Sequence, residues 1–124
     1  MPQNLLNGSL ADNQLFMREK YIQVLTTTKK KVEAQKIAKA IIEKRLAGCI
    51  QIVGPITSLY WWKRNIEKEE EWLLFIKSKK NLYQKLEKVI KEIHPYKMPE
   101  IIALPIIAGS KDYLRWLKNE LKKE

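Results

Sequence analysis

Apolar and polar residues repeat along this chain with two different periods, that of a β-strand and that of an α-helix. Each change from one period to the other marks the start of a predicted element. Residues 21–26 are rich in β-branched and aromatic side chains, which predicts a first strand. The next segment places its apolar residues at the spacing of an amphipathic helix, namely Ala34, Ile37, Ala38, Ile41 and Ile42. We predict that Gly48, in the left-handed conformation, ends this helix.

A long β-hairpin is predicted next. Residues 49–62 form one strand that bends at Gly54-Pro55, and residues 66–76 form the return strand. A second amphipathic stripe follows in residues 78–93, with Ser78 or Asn81 as the residue that caps its N-terminus.

Residues 94–108 contain three of the five prolines and the only histidine of the chain. Pro95 biases His94 away from the α region, so His94 is expected to end the second helix. Residues 100–104 predict a strand that is apolar on both faces, as when both sides are buried. Pro105 cannot donate a ladder hydrogen bond, which indicates an edge strand, a bulge or a change of pairing partner.

The order of these elements predicts the fold class. Ser110 is expected to cap a last helix, whose apolar stripe is Leu114, Leu117 and Leu121. The order β-α-β-β-α-β with an extra C-terminal helix is the α+β, ferredoxin-like pattern, with two helices on one face of an antiparallel sheet. Three strands are apolar on both faces, whereas the helices cover only one. We therefore predict that another subunit covers the second face.

Length and composition limit the alternatives. The 124 residues suit one domain, with residues 1–18 as a flexible N-terminal arm and residues 19–124 as the folded part. One cysteine cannot form an internal disulfide, no secretory pattern opens the chain, and no apolar run is long enough to cross a bilayer. We accordingly expect a cytoplasmic protein without a membrane partner.

The net charge of +10 comes from lysines that are interleaved with glutamates along the whole chain. This pattern favours a solvated surface, and a basic module for nucleic acid is the less favoured alternative. Lys29, Lys30 and Lys31 precede the first helix. They either lie in a loop before it or form an anion site with its N-terminus. No glycine-rich phosphate loop accompanies them, which favours the loop.

Five stretches of the chain together resemble the CutA family of divalent cation tolerance proteins. They are residues 43–49 (EKRLAGC), 57–62 (TSLYWW), 76–78 (IKS), 94–101 (HPYKMPEI) and 112–117 (DYLRWL). The resemblance extends from about residue 21 to residue 121. It implies a ferredoxin-like domain assembled as a homotrimer, similar in architecture to the PII signalling trimers. It also implies a non-enzymatic role in the response to copper and other divalent metal ions.

The resemblance further implies which residues would bind a metal. The copper site of bacterial relatives uses a cysteine on the first strand and two adjacent histidines before a Pro-Tyr pair. Thr26, Ile93 and His94 occupy these positions here, so only His94 remains as a metal ligand. One imidazole per chain makes a poor site unless subunits pool their ligands, so copper binding is expected to be weak. The alternative is a histidine favoured at a helix C-terminus by the helix dipole.

A second hypothesis concerns a small ligand. Polar groups beside aromatic rings in a cleft between subunits would form a ligand pocket. The residues proposed for this cleft, together with His94, are Trp61, Lys77, Tyr96 and Glu100. In this alternative the protein is a PII-like sensor that binds a small anionic ligand. The chain has no Ser-His-Asp or Cys-His motif, so we do not expect an enzyme.

Overall fold

The computed structural model describes residues 21–123, and the predicted arm, residues 1–18, lies outside them. The described residues form four strands and three α-helices, in the following order: β1 Tyr21–Thr28, α1 Lys31–Glu43, β2 Cys49–Trp62, β3 Asn65–Lys79, a 3₁₀ turn Lys80–Leu82, α2 Tyr83–Ile93, β4 Ile102–Pro105 and α3 Lys111–Glu120. The predicted sequence of elements is confirmed. None of these helices is long and apolar enough to span a membrane.

The four strands form one antiparallel sheet in the order β2-β3-β1-β4. Each helix of the two split βαβ units connects strands that are separated by a third. This confirms the predicted α+β class with an antiparallel sheet. β4 is an edge strand that pairs only with β1, and its last residue, Pro105, is opposite Ile22. Of the three explanations for Pro105, the edge strand is the one that the structure shows.

The hydrophobic core lies between the helices and one face of the sheet. On β1 the residues that face it are Ile22, Val24, Thr26 and Thr28, and on β3 their partners are Ser78, Ile76, Leu74 and Trp72. The helices contribute the predicted stripes, of which Ile37, Ile41, Leu86, Ile90 and Leu117 are almost completely buried. Ser110 caps α3 as predicted, because its Oγ accepts a hydrogen bond from the Tyr113 amide at 3.3 Å.

The opposite face of the sheet carries a row of large side chains that the helices do not cover. Register places Ile102, Leu25 and Phe75 side by side across β4, β1 and β3. We call these three residues and Leu104 the outer row. Leu25 and Phe75 are half-buried, whereas Ile102 and Leu104 are 47% and 45% exposed. The prediction that the last strand is buried on both faces is therefore wrong for a single protomer, because β4 lies at the edge of the sheet with no layer over it.

Two predicted helix ends are wrong. The left-handed residue after α1 is Arg45, with φ 57°, and Gly48 does not have a positive φ. Gly48 is constrained by packing instead, because a Cβ there would lie 2.6 Å from Leu117 Cδ1. Ser78 does not cap α2 either, since it belongs to β3 and its hydroxyl donates to the Leu46 carbonyl at 2.6 Å. Asn81 lies in the 3₁₀ turn, and α2 begins after Leu82 without a side-chain cap.

β2 and β3 continue as a two-stranded arm, residues 56–71, beyond the point where β1 ends. The predicted single strand through Gly54-Pro55 is confirmed, and the register shifts between Val53 and Ile56, where the bend was predicted. At the tip, Lys63 and Arg64 both have positive φ, as a two-residue type I′ turn requires. The arm leaves a large apolar side chain, that of Trp61, exposed near its tip.

Candidate functional site

His94 is buried at the end of α2, and both of its ring nitrogens are hydrogen bonded within the protein. The residue is only 8% exposed. The Tyr96 amide donates to Nδ1 at 3.0 Å, and Nε2 lies 2.8 Å from the Thr27 carbonyl oxygen. Because Nδ1 accepts a proton donor, it carries no proton itself, and the proton must be on Nε2 as the donor to Thr27. The ring is therefore neutral and has no free lone pair.

Tyr96 continues this network to a buried carboxylate. Its hydroxyl donates to Glu71 Oε2 at 2.8 Å, and Glu71 is 7% exposed. The rings of His94 and Tyr96 lie 4.8 Å apart between centroids, with a tilt of 56°. Burial and the hydrogen bond to Glu71 raise the pKa of Tyr96 well above its ordinary value. We call Thr27, His94, Tyr96 and Glu71 the buried polar chain.

The local sequence explains why His94 points back into the protein. Pro95 prevents the helix from continuing, so His94 adopts an extended conformation, with φ −71° and ψ 134°. Its own amide still donates to the Ile90 carbonyl at 2.8 Å, which completes the last turn of α2. The predicted helix end at His94 is confirmed. The ring then lies against the end of β1, and the next residues bring Tyr96 to β3.

This environment predicts how stability responds to pH. Burial lowers the pKa of His94, although the hydrogen bond to Thr27 and the charges of Glu33 and Glu71 act in the opposite direction. The unfolded chain then binds a proton at a higher pH than the folded one. The neutral His94 ring contributes its full stabilisation above the pKa of histidine in the unfolded chain, about 6.5. This stabilisation is lost as the pH falls below that value.

We therefore expect the urea midpoint of the protein to fall between pH 7.5 and pH 5.5, measured at one fixed protein concentration. In the His94→Gln variant the same pH change is expected to lower the midpoint much less, because the variant has no group that titrates at this position. An equal fall in both proteins would contradict the prediction.

The positions that correspond to the relatives' copper ligands do not form a metal site in one protomer. Thr26 is completely buried on the core face of β1, and its hydroxyl has no hydrogen-bond partner among the described residues. Ile93 is half-buried beside His94. Residues 21–123 contain no group of three or more His, Cys, Asp and Glu side chains that could hold a metal ion. The donor set of one protomer therefore does not fit a resident metal.

The unsatisfied hydroxyl of Thr26 predicts a stabilising substitution. Valine has nearly the same shape and removes a buried polar atom that costs free energy when it is unpaired. We expect Thr26→Val to increase the free energy of unfolding by about 1 kcal/mol. Chemical denaturation of the variant checks this, with Thr57→Val on the exposed arm as the matched control, for which little change is expected. A destabilised Thr26→Val protein would show that the hydroxyl has a partner.

The other residues proposed for the ligand cleft lie apart in one protomer. Lys77 is six residues from Glu71 on β3, roughly 20 Å away, and its Nζ donates to Gln51 Oε1 at 2.6 Å. Trp61 is opposite Ile66 near the arm's tip, and Glu100 is exposed in the loop before β4. The structure brings only His94 and Tyr96 together. The predicted cleft lies between subunits, so the distances within one protomer do not test it, and it stays a prediction.

Glu71 and Thr27 are two residues of the buried polar chain that the sequence does not predict. Glu71 follows Glu67, Glu69 and Glu70 in a run that is typical of a solvated strand, and nothing in that run distinguishes the one buried carboxylate. Thr27 contributes through its main-chain carbonyl, which carries no sequence signal.

Cys49 is half-buried and pairs with Lys77, so register places it well away from His94.

The structure places Lys29, Lys30 and Lys31 where the sequence predicts them, at the start of α1. Lys29 and Lys30 precede the helix, and Lys31 is its first residue. The Lys30 amide donates to Glu33 Oε1 at 3.0 Å, so a carboxylate of the chain itself already occupies part of the helix N-terminus. Lys31 Nζ lies 5.4 Å from the centre of the Trp72 ring. Lys29 and Lys30 thus lie in the predicted loop, whereas Lys31 belongs to the helix, and an anion site stays a prediction.

Known proteins resemble this chain over nearly all of its described length. The sequence model of the CutA1 divalent ion tolerance protein family matches residues 22–120. The divalent-cation tolerance protein CutA of Thermus thermophilus is 43% identical over 96 residues, which are 77% of this chain and 93% of that protein. The crystal structure of CutA1 from Oryza sativa is 39% identical, with a TM-score of 0.82 over 85% of this chain and 96% of that one.

A longer relative also matches. Protein CutA of Homo sapiens is 42% identical over 86 residues, which are 69% of this chain and 48% of that protein. The chain thus spans about half the length of the human protein.

Proposed function

Because this chain belongs to the CutA1 divalent ion tolerance protein family, we propose that it acts in the tolerance of divalent cations as a non-enzymatic homotrimer. The family match covers the whole described fold, from β1 to the end of α3. Within the described residues, both ring nitrogens of His94 and the Tyr96 hydroxyl are engaged in hydrogen bonds inside the protein, which supports a role other than catalysis.

The observation that supports assembly is the outer row. Ile102, Leu25 and Phe75 form an apolar band across three strands, and its β4 end is exposed, at 47% for Ile102 and 45% for Leu104. Monomeric proteins rarely expose contiguous apolar patches of this kind. β2 and β4 are both edge strands, so each presents backbone groups that a neighbouring chain can pair with. A head-to-tail contact between unlike surfaces closes into a ring, which suits a trimer.

Since one protomer has no suitable donor set, any copper is expected to bind weakly and to use ligands pooled between subunits. The cytoplasmic location likewise stays a prediction.

The function can be tested in cells. We expect expression of this chain in a bacterial strain that lacks its own CutA protein to raise the Cu(II) concentration at which growth stops. The control is the same strain carrying an empty vector, and expression is verified by immunoblot. A soluble, expressed protein that leaves the inhibitory concentration of Cu(II) and of other divalent cations unchanged would contradict the proposal.

A further inference from the structure

We infer that His94 is a structural residue that connects three parts of this fold, and that it does not bind a metal ion. The residue contacts three separate parts of the fold. Its main-chain amide completes α2, its Nε2–H donates to β1 at Thr27, and its Nδ1 accepts from the loop at Tyr96. Through the Tyr96 hydroxyl the same chain of hydrogen bonds reaches Glu71 on β3. One residue thus joins a helix end to β1 and to the loop that leads to β4.

Metal binding would require this connection to be broken. A metal ion needs a lone pair on one ring nitrogen. Coordination through Nδ1 would remove the acceptor of the Tyr96 amide. Coordination through Nε2 would require loss of its proton and would separate the ring from the Thr27 carbonyl. Either choice disturbs a hydrogen bond of 3.0 Å or shorter around a ring that is 8% exposed.

Within residues 21–123, no group of three or more His, Cys, Asp and Glu side chains is available to offset that loss. The Thr26 side chain carries a hydroxyl, which is a poor ligand for copper, and it faces the core. Glu71 already accepts the Tyr96 hydroxyl, and Cys49 is at the far end of the β2–β3 pairing. The inference goes beyond the proposed function, because it holds whether or not the protein protects cells from copper.

A ring-nitrogen NMR experiment tests the inference directly. Since the chain has one histidine, a single imidazole spin system reports on it without assignment. The probe is Zn(II), which is diamagnetic, added to the full-length protein labelled with ¹⁵N in the histidine ring. We expect the pattern of an Nε2-protonated ring before zinc and the same pattern after it. A saturable shift of either ring nitrogen toward a metal-bound value would overturn the inference.

Calorimetry with Cu(II) provides the second measurement. We expect the wild-type protein and the His94→Gln variant to bind Cu(II) with dissociation constants within about threefold of each other, or neither to bind. The exposed neighbour Glu92 supplies the matched control, Glu92→Gln. A loss of tenfold or more that is specific to His94→Gln would overturn the inference. Glutamine can still donate to Thr27, so this variant is expected to fold, with a thermal midpoint below that of Glu92→Gln.

Discussion

Phe75→Asp is expected to convert the proposed trimer into folded monomers. Phe75 lies at the β3 end of the outer row, next to Leu25 and opposite the β2 residue Gln51. In an assembled protein the carboxylate would be buried without a partner, which costs several kcal/mol per copy. In a monomer the same carboxylate reaches water, because Phe75 is only half-buried there. The substitution should therefore act on assembly much more than on folding.

Light scattering coupled to size-exclusion chromatography measures this effect, and circular dichroism verifies the fold. Val32→Asp is the matched control, since Val32 is an exposed valine on α1, far from the outer row in the sheet. We expect Val32→Asp to elute with the wild-type protein and Phe75→Asp to elute with the mass of one chain. A Phe75→Asp protein that keeps the wild-type mass would show that the outer row is not the contact between subunits.

The second large effect is expected at Gly54. A Cβ added there would lie 2.5 Å from Trp72 Cε3 and 2.7 Å from Cδ2, which is closer than packed carbon atoms approach. The indole is a rigid ring that packs against the core, so it cannot bend aside as the end of a flexible side chain would. We expect Gly54→Ala to lower the free energy of unfolding by about 2 kcal/mol.

A double-mutant cycle separates this clash from other effects of the alanine. In the Trp72→Leu background the space beside Gly54 is open, so the additional cost of Gly54→Ala should fall below roughly 0.5 kcal/mol. Denaturation is measured at one protein concentration, because the stability of an oligomer depends on it. Equal costs of Gly54→Ala in both backgrounds would mean that Trp72 is not what excludes a side chain at residue 54.

Most of the fold could be predicted because its elements follow from local periodicity. The stripe from Ala34 to Ile41 and the turn imposed by Pro95 depend on neighbours in sequence, and the structure confirms both. The prediction for Gly48 is wrong because the role of this glycine depends on a contact that is distant in sequence. Its small size is needed by Leu117, which lies almost seventy residues away, and no local pattern reports such a contact.

The buried polar chain was only half predictable. The proline after His94 fixed that residue at a helix end, and the same motif contains Tyr96. The partners of these two side chains are a main-chain carbonyl and one carboxylate in a run of similar glutamates. Only the three-dimensional structure identifies them, since charge and polarity along the chain are the same for exposed Glu69 and buried Glu71. Family resemblance suggested a metal ligand at the place where the geometry favours a connector.

We propose that this chain works as a homotrimer whose subunits cover one another's outer rows. Sedimentation equilibrium of the full-length wild-type protein over a wide range of concentrations tests it most directly. We expect the mass of three chains throughout the range, with a fall to the mass of one chain in the Phe75→Asp variant. A wild-type protein with the mass of a single chain at micromolar concentration would contradict it.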